Sequence, residues 1–214
     1  MTPCVKICGL TRPEDVAAAI RAGADYLGFI IEAKSPRRLS VAAAAKLSLP
    51  AKGITPRVAV TVNADDKTLS DIAARMQPDF IQLHGDESPA RAAQIKTAYG
   101  IPLIRALPVS EIADLTPAAG FAGIVDFFIY DAKAPSGDNQ RGGHGLSFDW
   151  NILKHVPKSA SRYLLAGGIT PDNAAGALRQ SAAFGLDVSS GVERAKGVKD
   201  ADKITELMKA ARHG

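Results

Sequence analysis

Two short stretches of the 214-residue chain carry the residue types of proton-transfer chemistry. In Val5-Lys6-Ile7-Cys8-Gly9-Leu10 a thiol ends an apolar run just before a glycine at which the chain can turn. A thiolate is a competent base, and an ordinary cysteine pKa of about 8.5 lies within reach of a nearby cation such as Lys6. In Ile129-Tyr130-Asp131-Ala132-Lys133 a carboxylate ends a second apolar run. A carboxyl group so placed must be paired, or desolvated enough to stay protonated and serve as a general acid. Each residue also has a bland reading. Cys8 fits as a small buried hydrophobe, and Asp131 as the partner of Lys133 or Arg105.

Further polar groups recur at the ends of apolar runs. Ala166-Gly167-Gly168-Ile169 and Asp187-Val188-Ser189-Ser190-Gly191-Val192-Glu193 suit phosphate binding, because Gly167, Gly168 and Gly191 permit close backbone approach and Ser190 adds a hydroxyl. Arg37, in Ser35-Pro36-Arg37-Arg38, can clamp a carboxylate through two parallel hydrogen bonds, or can be a solvated surface residue. Gln82 and His84 end a fourth polar-tipped run. The four histidines, His84, His144, His155 and His213, show no metal-ligand spacing, so no metal is expected.

These groups need a scaffold that brings them together. Short β-branched and aromatic runs alternate with Ala-rich helical stretches, the pattern of parallel βαβ units. Strands are expected to start near Val5, Tyr26, Arg57, Phe80, Pro102, Phe127, Arg162 and Gly185. They recur about every 26 residues, enough for one strand and one helix. Eight such units predict a single (β/α)8 TIM barrel, with one domain spanning residues 1–214.

Alternation along each strand sorts the faces. Val5 and Ile7 face the helices, and Lys6 and Cys8 face the interior. By the same parity Gln82, His84, Asp187 and Ser189 point inward, as does Asp131 if Phe128 and Tyr130 point outward. All lie at the carboxyl ends of strands, where barrel active sites form. Helix N-caps are expected at Thr11, Ser40, Ser88, Ser110 and Thr170, and helix stops at Gly23, Gly100 and Gly120. The stretch from Lys133 to Phe148 is too long and too rich in glycine to be mere connection.

Composition narrows the function classes. Hydrophobic residues make up 46% and charged residues 22%, an ordinary globular balance. The net charge of +4 is dispersed, so no nucleic-acid arm is expected. No apolar stretch is long enough to cross a membrane as a helix. The two cysteines, Cys4 and Cys8, are too far apart along one strand to bridge, and no leader segment precedes them. The expected setting is the reducing cytoplasm.

Taken in order, Lys6-Ile7-Cys8-Gly9-Leu10-Thr11, Lys34-Ser35-Pro36-Arg37, Gln82-Leu83-His84-Gly85, Asp131-Ala132-Lys133, Gly142-Gly143-His144-Gly145 through Phe148-Asp149-Trp150, Ala166-Gly167-Gly168-Ile169 and Asp187 through Glu193 resemble the phosphoribosylanthranilate isomerase family of tryptophan biosynthesis. His144 departs from the family's usual Thr or Ser. The resemblance implies an Amadori rearrangement of a phosphorylated sugar-anthranilate, with Asp131 as acid, Cys8 as base and no cofactor. It further implies that Arg37 holds the anthranilate carboxylate and that the two glycine turns hold the phosphate. The histidine-pathway isomerase of the same fold characteristically has Asp at the base position, so Cys8 and Arg37 favour anthranilate. A non-catalytic sugar-phosphate-binding barrel would lack the acid or the base. Monomer and homodimer both fit the sequence.

Overall fold

The computed structural model describes residues 2–31, 33–133 and 147–213. The expectation for the loop from Lys133 to Phe148, His144 included, falls largely outside them. Eight parallel strands close into a barrel: β1 (Cys4–Cys8), β2 (Tyr26–Ile31), β3 (Arg57–Thr61), β4 (Phe80–Leu83), β5 (Leu103–Val109), β6 (Phe127–Ala132), β7 (Tyr163–Leu165) and β8 (Gly185–Val188). Closure is made by β1, which pairs with β2 on one side and β8 on the other. The starts agree with the periodicity to within one residue, and the barrel is the fold expected. A two-residue strand, Arg38–Leu39, extends β2, and a small antiparallel hairpin joins Glu193–Ala195 to Val198–Lys199.

The strands divide two hydrophobic layers. Val5, Ile7, Leu27, Phe29, Phe128, Tyr130, Leu186 and Val188 pack outward against the helices. Each such side chain, when fully buried, contributes about 1.5–3 kcal/mol. Val58, Val60, Ile104, Ala106, Phe127, Ile129 and Leu164 fill the interior. At the amino ends of the strands Tyr26, Phe80, Phe127 and Phe184 meet edge to face or tilted, their centroids 5.5 to 5.7 Å apart. The Arg162 guanidinium lies over Phe127 and Phe184 and caps this plug. The opposite end is open. Pro108 is exposed although its neighbours on β5 are buried.

Among the described residues six connections or flanks are α-helical: α1 (Pro13–Arg21), α2 (Val41–Ser48), α3 (Asp66–Asp71), α4 (Pro89–Tyr99), α5 (Ala174–Ser181) and α6 (Ala201–His213). Ser40 and Ser88 cap α2 and α4 by accepting the backbone N–H of Ala43 and Arg91. Gly100 ends α4 in the left-handed conformation, and Gly23 follows α1 with positive φ.

Four expected boundaries are corrected. Thr11 does not cap α1; Arg12 holds that position, and the Thr11 hydroxyl donates instead to the Gly197 carbonyl at 2.7 Å. Ser110 caps no α-helix and Gly120 stops none, because Ile112–Phe121 is a 3-10 segment. Pro117 within it removes a backbone donor and its ring disfavours an α-helical turn. Asn173, not Thr170, stands at the start of α5, and its side chain folds back to accept the Thr170 N–H.

Candidate active site

The thiol sits where β1 leaves the barrel. Cys8 pairs in register with Gly28 of β2, and the backbone N–H groups of Gly9 and Leu10 both donate to the Gly28 carbonyl. A methyl group at Gly28 would lie 2.8 Å from Cys8 Sγ and 3.1 Å from Lys6 Nζ. Glycine there leaves the room that the thiol and the ammonium occupy. Lys6 is fully buried and donates to Asp187 Oδ1 at 2.9 Å, so this cation is already engaged by a carboxylate. Burial pushes the Cys8 thiol above its ordinary pKa, and the attraction of Lys6 offsets this only in part. Lys6 is the cation within reach that the sequence offered, and its pull is smaller than the opposing effect of desolvation.

The carboxyl group projects from β6 into the same mouth, with Ile129 beneath it on the inner face and Phe128 and Tyr130 on the outer. It is paired with neither expected cation. Lys133 reaches Asp114 at 3.0 Å, and Arg105 reaches Glu87 at 2.7 Å. What faces Asp131 is His84, whose Nε2 lies 3.6 Å from Oδ2. Behind the imidazole, Gln82 Nε2 stands 2.9 Å from His84 Nδ1. Glu87 secures the loop that follows: it accepts the N–H of Asn63 and of Gly85 and the guanidinium of Arg105. Neither Glu87 nor this bracing role of Arg105 was legible in the sequence.

Arg37 is buried rather than solvated. Its Nε and Nη2 donate to the two oxygens of Glu193 at 2.7 and 2.8 Å, the fork-to-fork pairing that fixes a guanidinium plane. Its aliphatic stem lies over Gly9, where any Cβ would come within 2.5 Å of Arg37 Cδ. Glu193 also accepts from Lys199 at 3.0 Å, and Lys199 donates in turn to the Ser189 carbonyl at 2.9 Å. Burial opposes the charge on Glu193, but its two cationic partners prevail and hold its pKa below the usual range. Burial pushes Lys199 down, with Glu193 opposing. Glu193 entered the sequence reading only as the last residue of a motif, with no role, and Lys199 did not enter it.

The two glycine turns abut one another. Gly167 has φ +90 and lies so near β6 that a Cβ would come within 2.5 Å of Ala132 Cβ. A Cβ on Gly191 would meet the Ile169 carbonyl oxygen at 1.8 Å. The segment after β7 and the 3-10 turn Ser190–Val192 after β8 therefore pack backbone to backbone, and Gly167, Gly168, Ser190 and Gly191 remain partly exposed on the rim. Barrels commonly bind phosphate at these two loops. Cys8, Asp131, His84, Arg37 and both glycine turns thus converge on one end of the barrel. Gln82 and Asp187 lie in the layer below, and Ser189 sits beside Gly9 and Lys199.

The profile of the N-(5'-phosphoribosyl)anthranilate (PRA) isomerase family matches residues 5–210. The chain belongs to the PRA isomerase family. It is 47% identical over 204 residues to the N-(5'-phosphoribosyl)anthranilate isomerase of Agrobacterium fabrum, covering 95% of this chain and 92% of that one. Among solved PRA isomerases it is similar to that of Thermotoga maritima, with a TM-score of 0.87, 33% identity and 98% of each chain covered. A PRA isomerase in complex with reduced 1-(o-carboxyphenylamino)-1-deoxyribulose 5-phosphate superposes with a TM-score of 0.84 and 32% identity, again over 98% of each chain. Among the described residues of this PRA isomerase family member no group of three or more metal-ligating side chains is found, and no helix is long and apolar enough to cross a membrane.

Proposed function

We propose that this barrel converts N-(5-phosphoribosyl)anthranilate to 1-(2-carboxyphenylamino)-1-deoxyribulose 5-phosphate, with Asp131 and Cys8 as its acid and base. The observation that carries this reading is the convergence of a buried thiol and a carboxyl group faced only by His84 among the described residues on one barrel mouth, in a chain of the PRA isomerase family. Asp131 gives its proton to the furanose ring oxygen as the C1–O bond breaks, leaving an iminium at C1. The Cys8 thiolate then removes the C2 proton, and the C–H electron pair flows into the iminium to give an enolamine. Loss of the enol O–H proton and protonation at C1 give the ketone. The iminium is the electron sink, so the route needs no cofactor.

The flanking groups suit the two anionic ends of this substrate. Arg37, its plane held by Glu193, binds the anthranilate carboxylate through its remaining donor edge. Gly167, Gly168, Ser190 and Gly191 receive the phosphate through backbone N–H groups and a hydroxyl. Burial makes Cys8 a stronger base once it has lost its proton, which suits removal of a carbon-bound proton. The chain acts as one barrel domain in the cytoplasm, as a monomer or homodimer. The deciding assay follows loss of anthranilate-type fluorescence when purified protein meets N-(5-phosphoribosyl)anthranilate in the presence of a chelator. Unchanged fluorescence with active substrate would overturn the reading.

A further inference from the structure

We propose that His84 is a positioning residue for Asp131, and that Gln82 fixes His84 as the neutral tautomer with its proton on Nε2. The inference rests on Asp131 as the acid and adds how the protein controls that acid. Gln82 Nε2 stands 2.9 Å from His84 Nδ1, and with the amide in this orientation it donates, so that Nδ1 presents a lone pair. A neutral imidazole then carries its hydrogen on Nε2, the atom that faces Asp131 Oδ2 at 3.6 Å. Hydrogen bonds of catalytic groups are commonly long before substrate arrives and tighten when it binds. As Asp131 loses its proton to the ring oxygen, an N–H aimed at Oδ2 stabilises the carboxylate and holds its other oxygen toward the sugar.

Two independent features argue that this arrangement is built. Gln82 is fully buried, and its Oε1 has no hydrogen-bond partner among the described residues. An apolar side chain of similar size would fill that space without leaving a carbonyl unpaired, so packing alone does not account for the amide. The backbone that carries the ring is also held from the loop side. Glu87, fixed by Arg105, accepts the N–H of Gly85, the residue after His84, and a Cβ at Gly85 would run into Asn63. The His84 backbone itself donates to the Thr61 carbonyl at 2.9 Å.

The first test is the tautomer in the free protein, read from 15N shifts of labelled histidine and assigned by the signal lost in His84→Gln. An Nε2–H tautomer is expected, giving way to a mixture in Gln82→Leu. An Nδ1–H tautomer at the signal so assigned in the unsubstituted protein would overturn the proposal. The second test is kinetic. His84→Ala and Gln82→Leu should each lower kcat about tenfold with little change in KM, short of the hundredfold or more lost with the acid itself. The double variant should be no slower than His84→Ala, since Gln82 acts only through the ring. Multiplicative losses, or an effect confined to KM, would refute the link. Near-normal turnover in Asp131→Asn would sink the acid assignment while leaving the tautomer result standing, so the two failures are distinguishable.

Discussion

Arg37 and Glu193 stand 156 residues apart in the chain and meet through two parallel hydrogen bonds of 2.7 and 2.8 Å. The pairing ties the loop after β2 to the hairpin after β8, across the strand that carries Cys8. It commits two guanidinium nitrogens to the protein and leaves the rest for an anion. Arg37→Ala should raise KM roughly tenfold to a hundredfold with a smaller change in kcat, as expected for loss of a charge-assisted contact. Steady-state kinetics checks this, and an unchanged KM would place the carboxylate elsewhere.

Cys8→Ser and Asp131→Asn should each reduce kcat by about a hundredfold or more while circular dichroism stays that of the unsubstituted protein. Both changes nearly preserve volume, so packing is little disturbed. Activity within a few-fold of the original in either variant would remove that residue from its role.

The pH dependence follows from the position of the thiol. A base must be deprotonated to act, and burial pushes Cys8 above the ordinary thiol range. Activity should therefore climb with pH through the alkaline region and fall about tenfold per unit below the Cys8 midpoint. Alkylation of Cys8 by iodoacetamide should follow the same curve. A midpoint below that of an ordinary cysteine would contradict the burial argument.

Glycine substitutions should separate the rim from the scaffold. Gly191→Ala drives a methyl group into the Ile169 carbonyl and should weaken inorganic phosphate binding measured by calorimetry. Gly176→Ala, inside α5 with open space at the added Cβ, should stabilise the fold by about 0.5–1 kcal/mol. That corresponds to a rise in Tm of roughly 1–4 °C for a chain of this size. A loss of Tm in Gly176→Ala would show that the helix is under strain elsewhere.

Lys6→Met should destabilise strongly, by about 3–5 kcal/mol, because it leaves Asp187 buried without its cation. Urea unfolding measures it. The double change Lys6→Met with Asp187→Leu should recover much of the loss, and failure to do so would mean the pair is held by more than mutual neutralisation.

The barrel was legible because its strands announce themselves twice, through spacing and through polar tips on apolar runs. Lys6 and Cys8 alternate with Val5 and Ile7, and that alternation alone separates interior from exterior. The 3-10 segment Ile112–Phe121 was misread because alanines around Pro117 and Gly120 look helical in composition, while the backbone donor lost at proline is a local effect. Glu193 and Lys199 were missed for a different reason. In Gly191-Val192-Glu193-Arg194-Ala195-Lys196-Gly197-Val198-Lys199 nothing local marks which charges pair, and only the folded-back hairpin brings Glu193 and Lys199 together at Arg37. The cue available was Gly197, which has positive φ at the hairpin turn. His84 and Asp131 were each noted, but their meeting depends on the register between β4 and β6.

Because β1 is flanked by β2 and by β8, the strand bearing Cys8 acquires one neighbour early in synthesis and the other only after residue 185 has left the ribosome. Until then that edge of β1 has no strand to pair with. Closure of the sheet around β1 thus waits for the last of the eight strands.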